Sequence, residues 1–208
     1  VDNPTLAFAE SCGMKFKFVS REQYRDKTDV AFIAALREEF GDFYLVPEGG
    51  TNALAVKGCE EILSAGDEQF THVCCAVGTG GTISGLINSA GAGQRVLGFP
   101  ALKGAALQEE IAIFAKNANW ELVEEYHFGG YGKVTGELIA FMNDFFVKTG
   151  ILLDPVYTGK LFFGVIDMIN KGIFPENSDI LLIHTGGLQG IAGMNRELMR
   201  KKLPIIKT

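Results

Sequence analysis

Metal-binding and basic residues are scarce in this 208-residue chain, which has three histidines, four cysteines and one tryptophan. The cysteines show no zinc-ligand spacing, and His72, His127 and His184 form no pairing that suggests a metal. Cys74 and Cys75 are neighbours in an apolar run. A strand would send their side chains to opposite faces, so they read as small core residues of a reducing compartment, with the cytoplasm as the expected location. Nineteen Lys and Arg face twenty-five Asp and Glu, a formal charge of −6. The one basic cluster, Arg200-Lys201-Lys202, reads as a solvated helix end. Phosphate backbones ask for clustered Lys and Arg, so nucleic acid is not an expected partner. Long apolar runs and a secretory signal pattern are missing too, which argues against a membrane partner. Low-complexity tracts and internal repeats are absent. What is present, 47% hydrophobic and 21% charged residues, is the ordinary make-up of a globular α/β protein.

Short apolar runs alternate with amphipathic segments, the pattern of repeated βα units around a parallel sheet. Asn3 with Pro4 starts a helix that Gly13 ends. Strands are expected at 15–20, 43–46, 71–77, 95–99, 120–123 and 179–184. Helices are expected at 29–40, 52–65, 82–90, 104–117, 135–149 and about 158–171, with a last helical segment after Gly187. Thr135 is a plausible cap and Gly150 a terminator. The fold class is α/β: a doubly wound, mostly parallel sheet with flanking helices, which binds ligands at the carboxyl ends of its strands.

The most informative stretch is THVCCAVGTGGTISGL, residues 71–86. An apolar strand stops in Gly78-Thr79-Gly80-Gly81-Thr82, and a helix begins. Glycines admit φ > 0 and close approach of a ligand, while the helix N-terminus points N–H groups at an anion. The dinucleotide fingerprint would need glycine at position 83, where Ile83 stands. A phosphate loop around Gly159-Lys160 fails because Asp154 replaces the upstream glycine and Leu161 the hydroxyl residue. A monophosphate is therefore the favoured guest, and a turn that merely packs a helix onto the sheet is the alternative. A second glycine turn, IHTGG at 183–187, ends another strand. LLDPVYTGK, from 152, delivers Tyr157 and Thr158 at a helix start.

Together VPEGGTN (46–52), VGTGGTISGL (77–86), LLDPVYTGK (152–160) and IHTGG (183–187) resemble the 1-aminocyclopropane-1-carboxylate deaminase/D-cysteine desulfhydrase family. Its members are pyridoxal-phosphate enzymes of the tryptophan-synthase-β-like fold. The resemblance covers essentially the whole chain. It implies that Gly78, Thr79, Gly80, Gly81 and Thr82 cradle the phosphate of pyridoxal 5′-phosphate. It places Thr158 opposite the pyridine nitrogen, where cyclopropane-cleaving members carry glutamate. Thr185 stands where those members carry leucine and desulfhydrase-like ones threonine. Both departures favour α,β-elimination on a small amino acid such as D-cysteine, giving pyruvate, ammonia and sulfide. Tyr157 and Tyr131 match the active-site tyrosines, and Asn52 lies in a loop leading back to the cofactor.

The lysine that forms the Schiff base, and the Ser-Asn-His segment after it, belong in this family to motifs that the chain does not contain. Residues 1–41 therefore resemble a remnant of the small domain and 42–208 the large cofactor-binding domain, so the fold is expected to be incomplete and this chain alone inactive. Lys160 is the nearest substitute, but the family also holds a lysine there in another role. Lys57 and Lys103 read as solvated. The alternatives are a cyclopropane or other D-amino-acid deaminase, a non-catalytic phosphate- or cofactor-binding module, and an α/β domain without a ligand. A homodimer is the assembly the resemblance implies.

Overall fold

Six residues, His72–Val77, form the most deeply buried strand, β1, and the rest of the sheet is built around it. The computed structural model describes residues 3–102 and 106–208. In it the chain divides into two compact units, Val1–Val46 and Pro47–Thr208.

The first unit carries three capped helices. In α1 (Pro4–Ser11) the Asn3 side chain accepts from the Thr5 and Leu6 N–H groups, as its Asn-Pro start predicts. A reciprocal Ser20–Gln23 capping box opens α2 (Arg21–Arg25). Asp29 caps α3 (Val30–Phe40), which Gly41 ends at φ 76°. None of the three helices contains a buried residue. The strand expected at 15–20 is irregular backbone, as is the one expected at 43–46. Alternating apolar residues make a strand only beside a partner ladder. Here Phe18, Tyr44 and Val46 stay largely exposed.

In the second unit α4 (Ala53–Cys59) precedes β1, and α5 (Gly81–Ser89) follows it. Then come β2 (Arg95–Pro100), α6 (Ala106–Ala112), β3 (Trp120–Leu122), α7 (Gly136–Thr149), α8 (Thr158–Asn170), β4 (Ile180–Ile183) and α9 (Gly190–Arg200). The sheet order is β3-β2-β1-β4, and every pairing is parallel, with Cys74 opposite Leu97 on one side and Leu182 on the other. Val73, Cys75 and Val77 pack with α5 and α6 on one face; Cys74 and Ala76 pack with Leu161, Val165 and Met168 of α8 on the other. The sheet is thus doubly wound, and the two thiols point to opposite faces as the period-two geometry requires. A third cluster joins α7 and α9 through Leu138, Ile139, Ile191 and Leu198.

Two helices are shorter than their apolar pattern. The one expected at 52–65 stops at Cys59, because Ser64 and Asp67 close their own turn through two bonds of 2.8 Å. The one expected at 104–117 begins outside the described residues, as does Lys103. It ends early where the Lys116 N–H donates to Asn88 and Asn88 donates to the Phe114 carbonyl.

Because β1 leads on one side to β2 and β3 and on the other pairs with β4, strand order reverses between β1 and β4. That reversal opens a crevice at their carboxyl ends.

Candidate functional site

The crevice is a cavity of about 370 Å³, within the size of small-molecule sites. Gly78–Thr82, after β1, forms one wall, and Thr185–Gly187, after β4, forms another. Gly80 takes φ 86°, and a Cβ there would lie 2.9 Å from Ile111 Cγ1, so only glycine suits the position. As the N-cap of α5 it brings no side-chain acceptor. The first-turn N–H groups of this helix are therefore left for a ligand. A Cβ at Gly78 would stand 3.2 Å from the Tyr157 hydroxyl, so the bare backbone lets the phenol reach the loop.

A third wall comes from residues 49–51. Gly49, at φ 70°, lies so near Thr79 that a Cβ would be 2.6 Å from its side chain. Thr51 and Thr79 share a hydroxyl–hydroxyl hydrogen bond of 2.6 Å.

The fourth wall is the start of α8. Asp154 is 2% exposed, and its carboxylate accepts from the N–H groups of Val156 and Tyr157 at 2.9 Å each. It also accepts from the Thr158 N–H and hydroxyl at 2.7 Å each. This helix end, unlike that of α5, already holds its anion. Gly187 lets the second glycine turn close on Asp154, since a Cβ there would fall 3.1 Å from Asp154 Cγ. Burial, reinforced by the neighbouring Tyr131, pushes the Tyr157 phenol up to about 12, so it keeps its proton at neutral pH. The rings of Tyr131 and Tyr157 meet edge to face, 6.1 Å apart.

Of the residues singled out in the sequence, Gly78, Thr79, Gly80, Gly81, Thr82, Tyr157 and Thr185 line this one cavity. Tyr131 is 58% exposed and touches the cavity through Tyr157. Asn52 does not line it; its side chain caps α4 by accepting from the Ala55 N–H. Thr158 does not line it either, being wholly buried with its hydroxyl donating to Asp154 and accepting from the Asp154 N–H. Lys160, in the first turn of α8, is buried and donates to the His127 and Gly130 carbonyls at 2.9 and 2.8 Å. Among the described residues no lysine lines the cavity. Sequence reasoning missed Asp154 as an anchor, although an Asp just ahead of a helix start is a capping signal. It also gave Thr51 no role; nothing local marks that hydroxyl, because its partner is twenty-eight residues away.

The glycine cradle, the uncapped helix start and the threonine hydroxyls fit a phosphate-bearing group that fills the cavity. The described residues include no helix long and apolar enough to cross a membrane.

Comparison with known proteins agrees with this geometry. Residues 3–186 match the family model described as pyridoxal-phosphate dependent enzyme. A Pyrococcus horikoshii protein provisionally named 1-aminocyclopropane-1-carboxylate deaminase is 33% identical over 74% of this chain and 52% of its own length. The Arabidopsis thaliana bifunctional D-cysteine desulfhydrase/1-aminocyclopropane-1-carboxylate deaminase, mitochondrial, is 29% identical over 86% of this chain and 51% of its own. The crystal structure of an ACC deaminase homologue superposes with a TM-score of 0.80 at 27% identity, covering 95% of this chain and 66% of that one. The chain spans about half the length of these two curated relatives.

Proposed function

Since the chain belongs to the pyridoxal-phosphate-dependent enzyme family and has its type II fold, we propose that it is the cofactor-holding part of an enzyme that eliminates the β-substituent of a small amino acid. The activity is D-cysteine desulfhydrase-like, giving pyruvate, ammonia and sulfide. The observation that carries this reading is the convergence of Gly78–Thr82, Tyr157 and Thr185 on one cavity at the strand-order reversal.

The cofactor, when bound, supplies an electron sink for bonds broken at the α-carbon of an amino acid. The chain's own residues do the rest. The N–H groups at the start of α5, with the Thr79 and Thr82 side chains, hold and orient the phosphate. Tyr157, protonated at neutral pH, is a hydrogen-bond donor at the cavity wall and can hand on or take back a proton at its hydroxyl. Tyr131 covers its ring edge and keeps water from one side. Thr185 offers a small neutral hydroxyl, and Thr158 and Asp154 hold the start of α8 in place. Lys160 is engaged with two backbone carbonyls and Lys57 is exposed on α4, so this chain by itself is taken to be catalytically silent. The same reading takes residues 1–41 as the tail of a small domain, and includes a homodimer and a cytoplasmic location.

The second reading is cyclopropane ring opening, since the names of relatives include both activities. Thr185 favours elimination: it lines the cavity at the position where the resemblance gives desulfhydrase-like members threonine and cyclopropane-cleaving ones leucine. Assay of the full-length protein that contains this chain separates the two. Sulfide and pyruvate from D-cysteine are expected, with turnover down about a hundredfold in Tyr157→Phe. Release of 2-oxobutyrate from the cyclopropane amino acid without sulfide would overturn the elimination reading.

A further inference from the structure

The loop at 48–51 is built into the cradle wall more closely than a connection to the next helix requires. At Gly49 a Cβ would strike Thr79 at 2.6 Å, and at Gly81 a Cβ would strike the Thr51 hydroxyl at 2.8 Å. Each loop thus uses a glycine where the other places its threonine. The result is one contact, Thr51 Oγ1 to Thr79 Oγ1 at 2.6 Å, with both residues lining the cavity.

A hydroxyl has one proton and two lone pairs. When Thr51 donates to Thr79, the Thr79 proton is freed to point elsewhere, and the cavity is the direction left open by the glycines around it. We infer that Thr51 is a positioning residue for the anion cradle, setting Thr79 as a donor to the phosphate of the bound cofactor. The inference rests on the cofactor reading given above. A hydrogen bond to a charged acceptor is stronger than one between neutral groups. The benefit therefore appears only when a phosphate is present to receive the proton, and the solvent-open pair in the free chain is the poised state.

The test compares pyridoxamine 5′-phosphate with pyridoxamine, which differ in the phosphate alone and need no lysine to bind. Dissociation constants are measured by calorimetry on the full chain for wild type, Thr51→Val, Thr51→Ser, Thr79→Val and the double valine variant. Thr51→Val is expected to weaken the phosphorylated ligand roughly three- to tenfold, the worth of one neutral hydrogen bond, and to leave pyridoxamine unchanged. Thr51→Ser should restore the wild-type value. In the Thr79→Val background Thr51→Val should add nothing, because its route to the phosphate is gone. Equal weakening of both ligands, or additive losses in the double variant, would show a merely structural role and overturn the inference. Wild type that favours the phosphorylated ligand, beside a Thr51→Val that matches it, overturns Thr51 alone. Wild type that shows no preference for the phosphorylated ligand overturns the cofactor reading, and the Thr51 role with it.

Discussion

Lys160 shows how far a residue's chemistry can depart from its sequence context. From the sequence it is a cation one residue beyond a glycine at a helix start. In the fold it is 1% exposed, and its ammonium donates to the carbonyls of His127 and Gly130, in the loop that carries Tyr131. Burial brings it down from 10.5 to about 8, with the charge of Asp154 pulling the other way. A lysine lowered by folding binds fewer protons folded than unfolded at pH 8 to 10.5, so its contribution to stability grows as pH rises through that window. The unfolding free energy of wild type minus that of Lys160→Met should climb with pH there, by at most about 1.4 kcal/mol per unit. A pH-independent difference in paired denaturant titrations would show that Lys160 does not titrate in this way. At this scale the glycines and Tyr157 were legible in the sequence, because backbone freedom and a helix start are local properties. Thr158 was less so: its resemblance-based place facing the cofactor gave no hint of the bonds that tie it to Asp154.

Among the elements, α1, α3, α5, α7 and α8 could be read to within a residue or two, because caps such as Asn3, Asp29 and Thr135 and terminators such as Gly41 and Gly150 act locally. The two missing strands were unreadable for the opposite reason, since a strand is completed only by a partner. β1 has partners on both sides, and that isolates its thiols. Burial pushes Cys74 up to about 12 and Cys75 higher still. A thiol reagent at pH 8 should therefore modify Cys12 and Cys59 in the native chain and reach Cys74 and Cys75 only after unfolding. Rapid modification of all four without denaturant would contradict the buried strand. Packing of α4 on α5 is equally specific. A Cβ at Gly85 would lie 2.3 Å from Cys59 Cβ and 2.6 Å from its backbone carbon. Gly85→Ala improves helix propensity yet should cost about 1–3 kcal/mol by overpacking, read as a lower melting temperature. Trimming Cys59 to glycine should not rescue it, because the carbonyl carbon remains in the way.

At the scale of the whole molecule the two units differ in what holds them. The helices of Val1–Val46 bury no residue, whereas every residue of β1 is buried. Local stability follows buried apolar contact. Hydrogen exchange should find the amides of α1–α3 exchanging orders of magnitude faster than those of β1 and α5, and uniform protection across both units would refute this difference. The fold class was legible as βα alternation, and so was the carboxyl end of the strands as the ligand side, but which two strands flank the cavity was not. It depends on β4, more than a hundred residues downstream, lying beside β1 on the side away from β2. Two helix starts meet at that place, one uncapped at Gly80 and one filled by the carboxylate of Asp154. The two starts are unequal: the N–H groups after Gly80 are left open at the cavity wall, while those at the start of α8 are already spent on a buried carboxylate. The anionic end of a molecule entering the cavity is therefore drawn to the α5 wall rather than to the α8 wall.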